Sequence, residues 1–320
     1  MTAEITDERA ATNSRDIRTL TPDDVPQLRL GLRSMIDSHE VLGVLRRHPG
    51  RSVWEAQGRE FAVVAPWRHR DDISSLHRWT AVRAASALLQ GAAERCRVAG
   101  DDLLLVMELD DVRSARFYER VGFELLQEVI TYELPGRATP VDHSDELSFI
   151  QVTSDDLAGL RQLLALDHAA FPWLWRNSAA EFTTYLRTSG VTVYVGYDGV
   201  DPVSYVGVTA FRGWGHLDRI AVDPRRQGRG IGLGTLQFAI STLATNGARR
   251  FALSTQDGNK RSQRMYERFG FQRSDAHDYR LYGAPLTRNA RHLLENHAGA
   301  EHQVKETAGD ESVKETTAGE

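Results

Sequence analysis

Cysteine is almost absent from this 320-residue sequence, because Cys96 is the only one. A lone cysteine excludes an internal disulfide framework and a cysteine-based zinc site. We therefore expect no metal centre of that kind, and the scarcity of cysteine is typical of a protein in a reducing, cytoplasmic compartment.

Long apolar runs and a large excess of one charge are also missing. No stretch approaches the ~20 consecutive apolar residues that cross a bilayer, and residues 1–14 are polar and acidic, unlike a signal peptide. The formal net charge is only −5, which disfavours a strongly basic nucleic-acid surface. These absences predict a soluble protein that binds neither membranes nor nucleic acid, with a small molecule or a peptide as its partner.

The hydrophobic content, 41% over 320 residues, is enough for two medium-sized cores, which favours two domains. Proline and glycine mark a linker before a polar run, and the charged end of the chain has a low-complexity composition typical of disorder. The predicted boundaries are a disordered N-terminus at 1–14, a first domain at 15–136, a linker at 137–146, a second domain at 147–285 and a disordered tail at 286–320.

The two halves of the sequence repeat one another weakly. The decapeptide Ser114–Phe123 reads SARFYERVGF, and Ser262–Phe271 reads SQRMYERFGF near the end of the second half. Such self-similarity at corresponding positions indicates duplication of one structural unit.

Apolar periodicity in the second half predicts two helices, a run of antiparallel strands and then alternating helices and strands. The predicted helices are 155–167, 179–187, 233–246 and 262–269, and the predicted strands are 192–197, 203–211, 216–222, 250–254 and 276–282. This order indicates an α/β (α+β) fold, in which each half has a mixed, mostly antiparallel sheet flanked by helices.

A glycine-rich loop, Gln227-Gly228-Arg229-Gly230-Ile231-Gly232, lies between a predicted strand that ends at Val222 and a predicted helix. Three alternating glycines let consecutive backbone N–H groups point outward at the positive end of a helix dipole, which suits a phosphate or pyrophosphate. Arginines 225, 226 and 229 add positive charge at its edges. A nucleotide-hydrolysing P-loop is disfavoured because no Lys-Ser/Thr pair follows the last glycine. A dinucleotide-binding loop is disfavoured because antiparallel-looking strands precede this one.

The loop resembles that of the GNAT (GCN5-related N-acetyltransferase) superfamily, whose pattern Gln/Arg-x-x-Gly-x-Gly/Ala is met by Gln227, Gly230 and Gly232. A second signature, Asn259-x-x-Ser262-x-x-x-Tyr266 followed by Gly270-Phe271, is similar to a later helix of that superfamily. The resemblance covers about 149–282. It implies acetyl-CoA as co-substrate, no metal, and direct acetyl transfer to a primary amine in a ternary complex. The cofactor-binding residues that it implies are Ala221, Val222, Arg225, Gln227, Gly228, Arg229, Gly230, Ile231, Gly232 and Asn259.

Acetyl transfer to an amine needs a base, an oxyanion donor and a proton for the leaving thiolate. Tyr266 is the candidate acid, although Tyr118 stands at the same place in the first half, so packing is an alternative role. Strand alternation predicts that His216 and Asp218 share one face and that Arg219 lies on the other. Either His216 or Asp218 is the candidate base, and the resemblance implies that the backbone N–H near Val222 is the oxyanion donor.

The acceptor site is expected in the aromatic segment 168–176, where Phe171, Trp173 and Trp175 are the candidate substrate-binding residues. The acceptor is a small-molecule amine or a peptide N-terminus. Glu181 could hold an ammonium group or be a solvated helix residue. The basic aromatic segment Trp67-Arg68-His69-Arg70 is interpreted as a solvated loop.

The first half has no glycine between Ser74 and Arg83, where the second half has its loop, and Asp111 replaces the later asparagine. Side chains there would obstruct a pyrophosphate, so the first half is predicted to be a degenerate GNAT-like copy with a structural or acceptor-shaping role. Two alternatives stay open. The tandem arrangement also resembles mycothiol synthase, which acetylates a cysteinyl amine, and a non-catalytic acyl-CoA sensor would need the loop alone.

Overall fold

The computed structural model describes residues 16–28, 30, 36–57, 59–108, 113–136 and 147–295. Within these residues the strands form one continuous sheet in the order β1-β2-β3-β4-β5-β12-β6-β11-β10-β9-β8-β7. The strands are β1 Ile17–Thr19, β2 Val53–Glu55, β3 Glu60–Pro66, β4 Ile73–Thr80, β5 Leu103–Glu108, β6 Glu124–Leu134, β7 Ser148–Val152, β8 Val191–Asp198, β9 Asp201–Phe211, β10 Trp214–Val222, β11 Arg250–Gln256 and β12 Gln272–Pro285.

Helices cover both faces of the sheet. They are α1 Ser38–Arg47, α2 Ala85–Ala99, α3 Ala115–Arg120, α4 Leu157–Ala170, α5 Ala179–Leu186, α6 Ile231–Thr245 and α7 Lys260–Phe269. The predicted mixed, mostly antiparallel sheet flanked by helices is thus confirmed, but the two halves share one sheet instead of having one each. None of the helices in the described ranges is long and apolar enough to cross a membrane.

The two halves of the chain exchange their last strands. Strand β12, from the second half, pairs with β5 of the first half through Arg280 opposite Glu108. Strand β6, from the first half, pairs with β11 of the second half through Phe251 opposite Leu134. Because β12 and β6 also pair with each other, the halves are joined by a continuous hydrogen-bonded ladder, and neither half has a sheet of its own.

The duplication is visible in the pairing pattern. Strands β4 and β5 run parallel in the first half, as β10 and β11 do in the second, while their other neighbours are antiparallel. Each half also carries a bulge on the equivalent strand, where His77 in β4 and Asp218 in β10 are the extra residues. The second half therefore keeps the backbone design of the first, apart from its glycine loop.

A shared apolar cluster lies where the halves meet, beneath β5, β6 and β12. Its buried members are Trp67, Ile73, Leu103, Leu105, Val129, Leu174, Trp175 and Leu281. Four of these precede residue 110 and two come from the segment between α4 and α5, so this core belongs to neither half alone. Burial of such a cluster stabilises the association of the halves as it stabilises a single domain.

The prediction of disorder for 286–320 is wrong at its start, because residues 288–295 are helical. Leu286 and Ala290 are buried, and Leu294 packs against the shared apolar cluster. This short apolar repeat was too sparse to stand out from the charged tail behind it. The predicted disordered N-terminus at 1–14, the linker at 137–146 and the remainder of the tail lie outside the described residues.

Candidate active site

A cleft of about 1000 Å³ opens where two parallel strands of the second half separate. Strands β10 and β11 pair from Trp214 opposite Arg250 to Leu217 opposite Leu253, and both strands continue beyond the last pair. The cleft is lined by the following residues: Ala169, Ala170, Phe171, Pro172, Trp175, Arg176, Ile220, Ala221, Val222, Gln227, Gly228, Gly230, Gly232, Leu233, Gln256, Gly258, Asn259, Lys260, Arg261, Ser262, Arg264, Met265 and Arg268.

The glycine loop forms one wall of this cleft and adopts a backbone that only glycine favours. Gly228 and Gly230 have φ of +83° and +82°, and Gly230 is the N-cap of α6. Glycine at the N-cap has no side chain to accept from the first helical turn, so these N–H groups stay available to a ligand. Gly232 is close to α7, since a Cβ there would lie 3.2 Å from Sδ of Met265, which would have to shift by a few tenths of an ångström.

The opposite wall is basic. Lys260, Arg261, Arg264 and Arg268 of α7 all line the cleft. With Arg176 they make five basic side chains, and none of the described residues that line the cleft is acidic. Such a wall favours a polyanionic ligand that reaches the glycine loop.

Most of the predicted cofactor-binding residues lie together in the cleft: Ala221, Val222, Gln227, Gly228, Gly230, Gly232 and Asn259. The Gln227 amide donates to the Val222 carbonyl oxygen, 3.2 Å away, and its oxygen accepts from Arg261. Asn259 caps α7, because its side chain accepts from the N–H of Ser262 at 3.2 Å. These bonds fix the loop against α7 before any ligand binds.

Three of the predicted cofactor-binding residues do not line the cleft. The Arg225 guanidinium instead pairs with Asp223 at 2.7 Å, and this hydrogen bond lowers the pKa of the Asp223 carboxyl. Arg229 is exposed on the loop and Ile231 is buried in the core. Most of the positive charge in the cleft comes from α7, and Arg176 adds the rest. Arg261, Arg264 and Arg268 are three and four positions apart, a helical spacing that could have revealed this wall in the sequence.

Tyr266 lies in the core beneath α7, with only 4% of its surface exposed, and is not among the residues that line the cleft. Burial raises the pKa of its hydroxyl. Its ring is 6.3 Å from that of Tyr132 on the exchanged strand β6. In the first half, Tyr118 stacks at 4.1 Å on Tyr282 of the exchanged strand β12. Each helix tyrosine thus packs against a tyrosine of the other half, which supports the packing role.

His216 and Asp218 form a hydrogen-bonded pair, with 2.7 Å between Nδ1 and Oδ1. The other oxygen of Asp218 accepts from Thr209 at 2.6 Å and from Tyr185. Asp218 therefore has three partners and orients the histidine, while the His216 side chain is 43% exposed. Neither residue lines the cleft.

The predicted alternation along β10 holds for His216 and Asp218, which lie together, and is wrong from Arg219 onward. Asp218 is the extra residue of the bulge, so the alternation shifts by one position and Arg219 follows on the same face. Asp218 contacts Tyr185 of α5, and Arg219 contacts Asp167 of α4. The bulge thereby brings a second charged side chain, that of Arg219, to the face that α4 and α5 cover, next to the expected acceptor site.

Arg219 is the centre of a buried network behind the aromatic segment. Its guanidinium donates to Asp167 at 2.5 Å, to the Tyr205 hydroxyl at 2.9 Å and to the Trp175 carbonyl at 3.0 Å. It also lies 3.9 Å from the ring centroid of Phe171. Burial opposes the charge, but Tyr205 and Asp167 outweigh it and raise the pKa of Arg219. The network therefore contacts Phe171 and Trp175, two aromatic residues that line the cleft, and fixes their positions.

The sequence predicted that the segment Trp67–Arg70 is a solvated loop, and this prediction is wrong. The segment instead reaches from the first half and contacts the part of the second half that carries the predicted acceptor residues. The Trp67 indole donates to the Leu174 carbonyl at 2.9 Å, and Arg70 donates to the Trp173 carbonyl. His69 pairs with Glu181 at 2.7 Å, so one oxygen of the Glu181 carboxylate is held by the first half, while the side chain is 28% exposed. The strand exchange places this loop over the other half, which no local pattern encodes.

The three predicted acceptor residues separate in the structure. Phe171 and Trp175 line the cleft, whereas Trp173 does not. The Trp173 indole instead donates to Asp72 at 2.9 Å, and its ring lies 5.2 Å from the Arg70 guanidinium. Trp173 is therefore an interface residue that anchors the segment to the first half.

In the first half a side chain occupies the position that corresponds to the glycine loop. The Glu60 carboxylate accepts from the backbone N–H groups of Val82, Arg83 and Ala84 at 2.7–3.1 Å, just before α2. The Arg113 guanidinium lies 4.4 Å from the Trp79 ring beside them. The Glu60 carboxylate thus occupies the backbone N–H donors that a phosphate would need. This supports the prediction that the first half is a degenerate copy. Asp111, the other predicted obstacle, lies outside the described residues.

The ranges that the structure describes contain no group of three or more His, Cys, Asp or Glu residues that could hold a metal ion.

Comparison with known protein families finds a similarity within the second half of the chain. Residues 158–271 match the family described as "Acetyltransferase (GNAT) family". No match is found among curated proteins.

Solved structures match over nearly the whole described chain. A GCN5-related N-acetyltransferase from Sphaerobacter thermophilus is 18% identical, with a TM-score of 0.57 over 84% of this chain and 95% of that one. A tandem GNAT protein from the clavulanic acid biosynthesis pathway is 14% identical, with a TM-score of 0.54 over 85% and 98%. A GCN5-related N-acetyltransferase from Anabaena variabilis is 12% identical, with a TM-score of 0.58 over 85% and 72%. At these identities the likeness shows the fold, including both halves.

Proposed function

From the premise that residues 158–271 form a domain of the GNAT acetyltransferase family, we propose that this protein transfers an acetyl group from acetyl-CoA to a primary amine. The observation that carries the proposal is the pair of left-handed glycines, Gly228 and Gly230, at the start of α6 beside a basic cleft. Free backbone N–H groups on one wall and four cations of α7 on the other suit the pyrophosphate and the remaining phosphate of a coenzyme A.

The reaction is a direct substitution at the thioester carbonyl. The amine nitrogen forms a bond to the carbonyl carbon, the carbon–sulfur bond breaks, and the thiolate leaves with the electron pair. The backbone N–H near Val222, at the separating strands, stabilises the oxyanion. His216, oriented by Asp218, accepts the amine proton through water.

Tyr266 remains the candidate donor to the leaving sulfur, but its burial changes the expected strength of that role. A raised pKa makes the phenol a weaker acid than a free tyrosine, so full proton transfer to a thiolate becomes less favourable. We therefore expect Tyr266 to contribute a hydrogen bond at most, with packing as its main role.

Coenzyme binding is tested by calorimetry with coenzyme A and the variant Gly230→Val. Valine at φ +82° is strained, and its side chain would stand in the open space beside the loop, where the ligand is expected, so binding should be lost. Gly199→Val is a matched control, because Gly199 also has positive φ, with open space around it, but does not line the cleft. Retained affinity in Gly230→Val, with the control equally stable, would contradict the assignment of the loop.

Turnover is tested separately, by measuring thiol release from acetyl-CoA with a panel of amines. His216→Ala should slow release and Tyr266→Phe should have little effect on it. If both variants keep full turnover, His216 is not the base.

A non-catalytic acyl-CoA sensor is the second candidate, because none of Tyr266, His216 and Asp218 lines the cleft. Tight coenzyme binding without thiol release from any amine would favour it. A cysteinyl amine belongs in the panel, since the tandem fold also fits a mycothiol-synthase-like activity. Preferential acetylation of that amine would identify this third possibility.

A further inference from the structure

Resting on the proposed acetyl transfer, we propose that the acceptor is an amine that also carries a carboxylate, held by Trp175 and Arg176 at the aromatic end of the cleft. We define the aromatic end as Phe171, Trp175 and Arg176, all of which line the cleft. The inference concerns the class of acceptor, which neither the glycine loop nor α7 determines.

The first observation is a buried donor without a partner. Trp175 is 4% exposed, and its indole Nε1 is buried with no hydrogen-bond acceptor among the described residues. Its neighbour Trp67 shows the contrast, because the Trp67 indole donates to the Leu174 carbonyl at 2.9 Å. Buried indole N–H groups are normally satisfied, so an unsatisfied one on a residue that lines the cleft points to an acceptor atom supplied by a ligand.

The second observation is a cation from the first half behind that indole. The Arg68 guanidinium lies 5.1 Å from the ring centroid of Trp67 and 5.3 Å from that of Trp175. It donates to the Asn177 side chain at 2.7 Å, but its Nε has no acceptor. Burial and the nearby Arg219 lower the pKa of Arg68 to about 10, which still leaves the group charged at neutral pH.

The third observation is a further cation that faces the cleft itself. Arg176 donates through Nε to the Phe171 carbonyl at 3.0 Å, which leaves its two terminal nitrogens for a ligand. Among the described residues, neither Arg176 nor Arg68 forms an ion pair with a carboxylate.

The nearby carboxylates are all engaged elsewhere. Asp167 pairs with Arg219, Glu181 with His69, and Asp72 with Arg70. Among the described residues, Arg176 therefore faces the cleft as a cation without an ion-pair partner. A ligand carboxylate would satisfy both the indole N–H and the guanidinium of Arg176.

The same charge acts on the reacting amine. A cation nearby disfavours the ammonium form of the acceptor and lowers its pKa, so more of it is present as the nucleophilic free amine. A second ammonium group on the acceptor would be repelled instead. Polyamines and other multiply cationic acceptors should consequently be poor substrates.

The test uses acceptors in matched pairs that differ only in the carboxylate: phenylalanine with phenethylamine, tryptophan with tryptamine, and leucine with isopentylamine. Acetylated products are quantified by mass spectrometry under saturating acetyl-CoA. We expect kcat/KM to be about tenfold or more higher for the carboxylate-bearing member, the factor that a charge-assisted hydrogen bond provides.

The variant Arg176→Gln should reduce this preference to about twofold or less, and an unchanged far-UV circular dichroism spectrum would report an intact fold. Arg161→Gln is the matched control, because Arg161 is exposed on α4 and does not line the cleft, so it should keep the preference. Acetylation with no preference, or with a preference that survives Arg176→Gln, overturns this inference alone. Failure of every amine in both panels overturns the proposed function and this inference with it.

Discussion

Replacement of Asp167 by asparagine should destabilise the protein more than any surface substitution, because it leaves Arg219 as a buried charge without a counter-ion. Asp167 is fully buried and accepts from Arg219 and Tyr205 at 2.5 Å and from the Asn177 N–H at 2.8 Å. All three partners are donors, whereas an asparagine side chain offers one acceptor and one donor group. At least one of these three donors would therefore face the NH2 group of the asparagine instead of an acceptor.

The expected loss is about 3–5 kcal/mol, the usual cost of removing one partner of a buried ion pair. Native domains are stable by roughly 5–15 kcal/mol, so Asp167→Asn should fold but unfold at a much lower urea concentration. Urea unfolding followed by far-UV circular dichroism and tryptophan fluorescence measures the difference, and coincidence of the two signals justifies a two-state treatment.

A second substitution separates lost charge pairing from general damage. Arg219→Met in the Asp167→Asn background removes the orphaned cation, so it should recover a large part of the lost stability. A loss below about 1 kcal/mol for Asp167→Asn would refute the buried network, since that is the range of exposed pairs. A double variant as unstable as the single one would show that the unpaired Arg219 is not the cause.

Two further predictions concern the first half and its junction with the second. Glu60→Ala should lower the free energy of unfolding by about 1–2 kcal/mol, because three backbone N–H groups before α2 lose their acceptor; an unchanged urea midpoint would contradict this. Tyr132→Phe should cost about 1 kcal/mol by removing the 2.8 Å hydrogen bond from β6 to Glu267. Thermal unfolding checks the second prediction, and a variant as stable as the parent would count against that bond.

The sequence predicts the features that depend on local pattern. Alternating glycines between a strand and a helix identify the loop that lines the cleft, and the repeated Tyr-Glu-Arg signature identifies the duplication. Apolar periodicity places most strands of the second half within a few residues of their observed bounds. These properties depend on the chemistry of neighbouring residues, which a single sequence displays directly.

Features that depend on distant partners were not predictable. Nothing near Arg280 indicates that it pairs with Glu108, so the strand exchange is invisible in local periodicity. The interface role of Trp67–Arg70 follows from that exchange and was missed with it. The bulge at Asp218 contains no glycine or proline that would predict it from the sequence, yet it moves Arg219 to the other face of the strand.

The exchange of strands also constrains how the protein can be made. Strand β5 is complete at Glu108 and β6 at Leu134, but the strand that lies between them ends at Pro285. A ribosome must therefore deliver nearly the whole described chain before the first half can close its sheet. Until then both strands present unpaired edges, which favours chaperone binding and slow, late-stage folding.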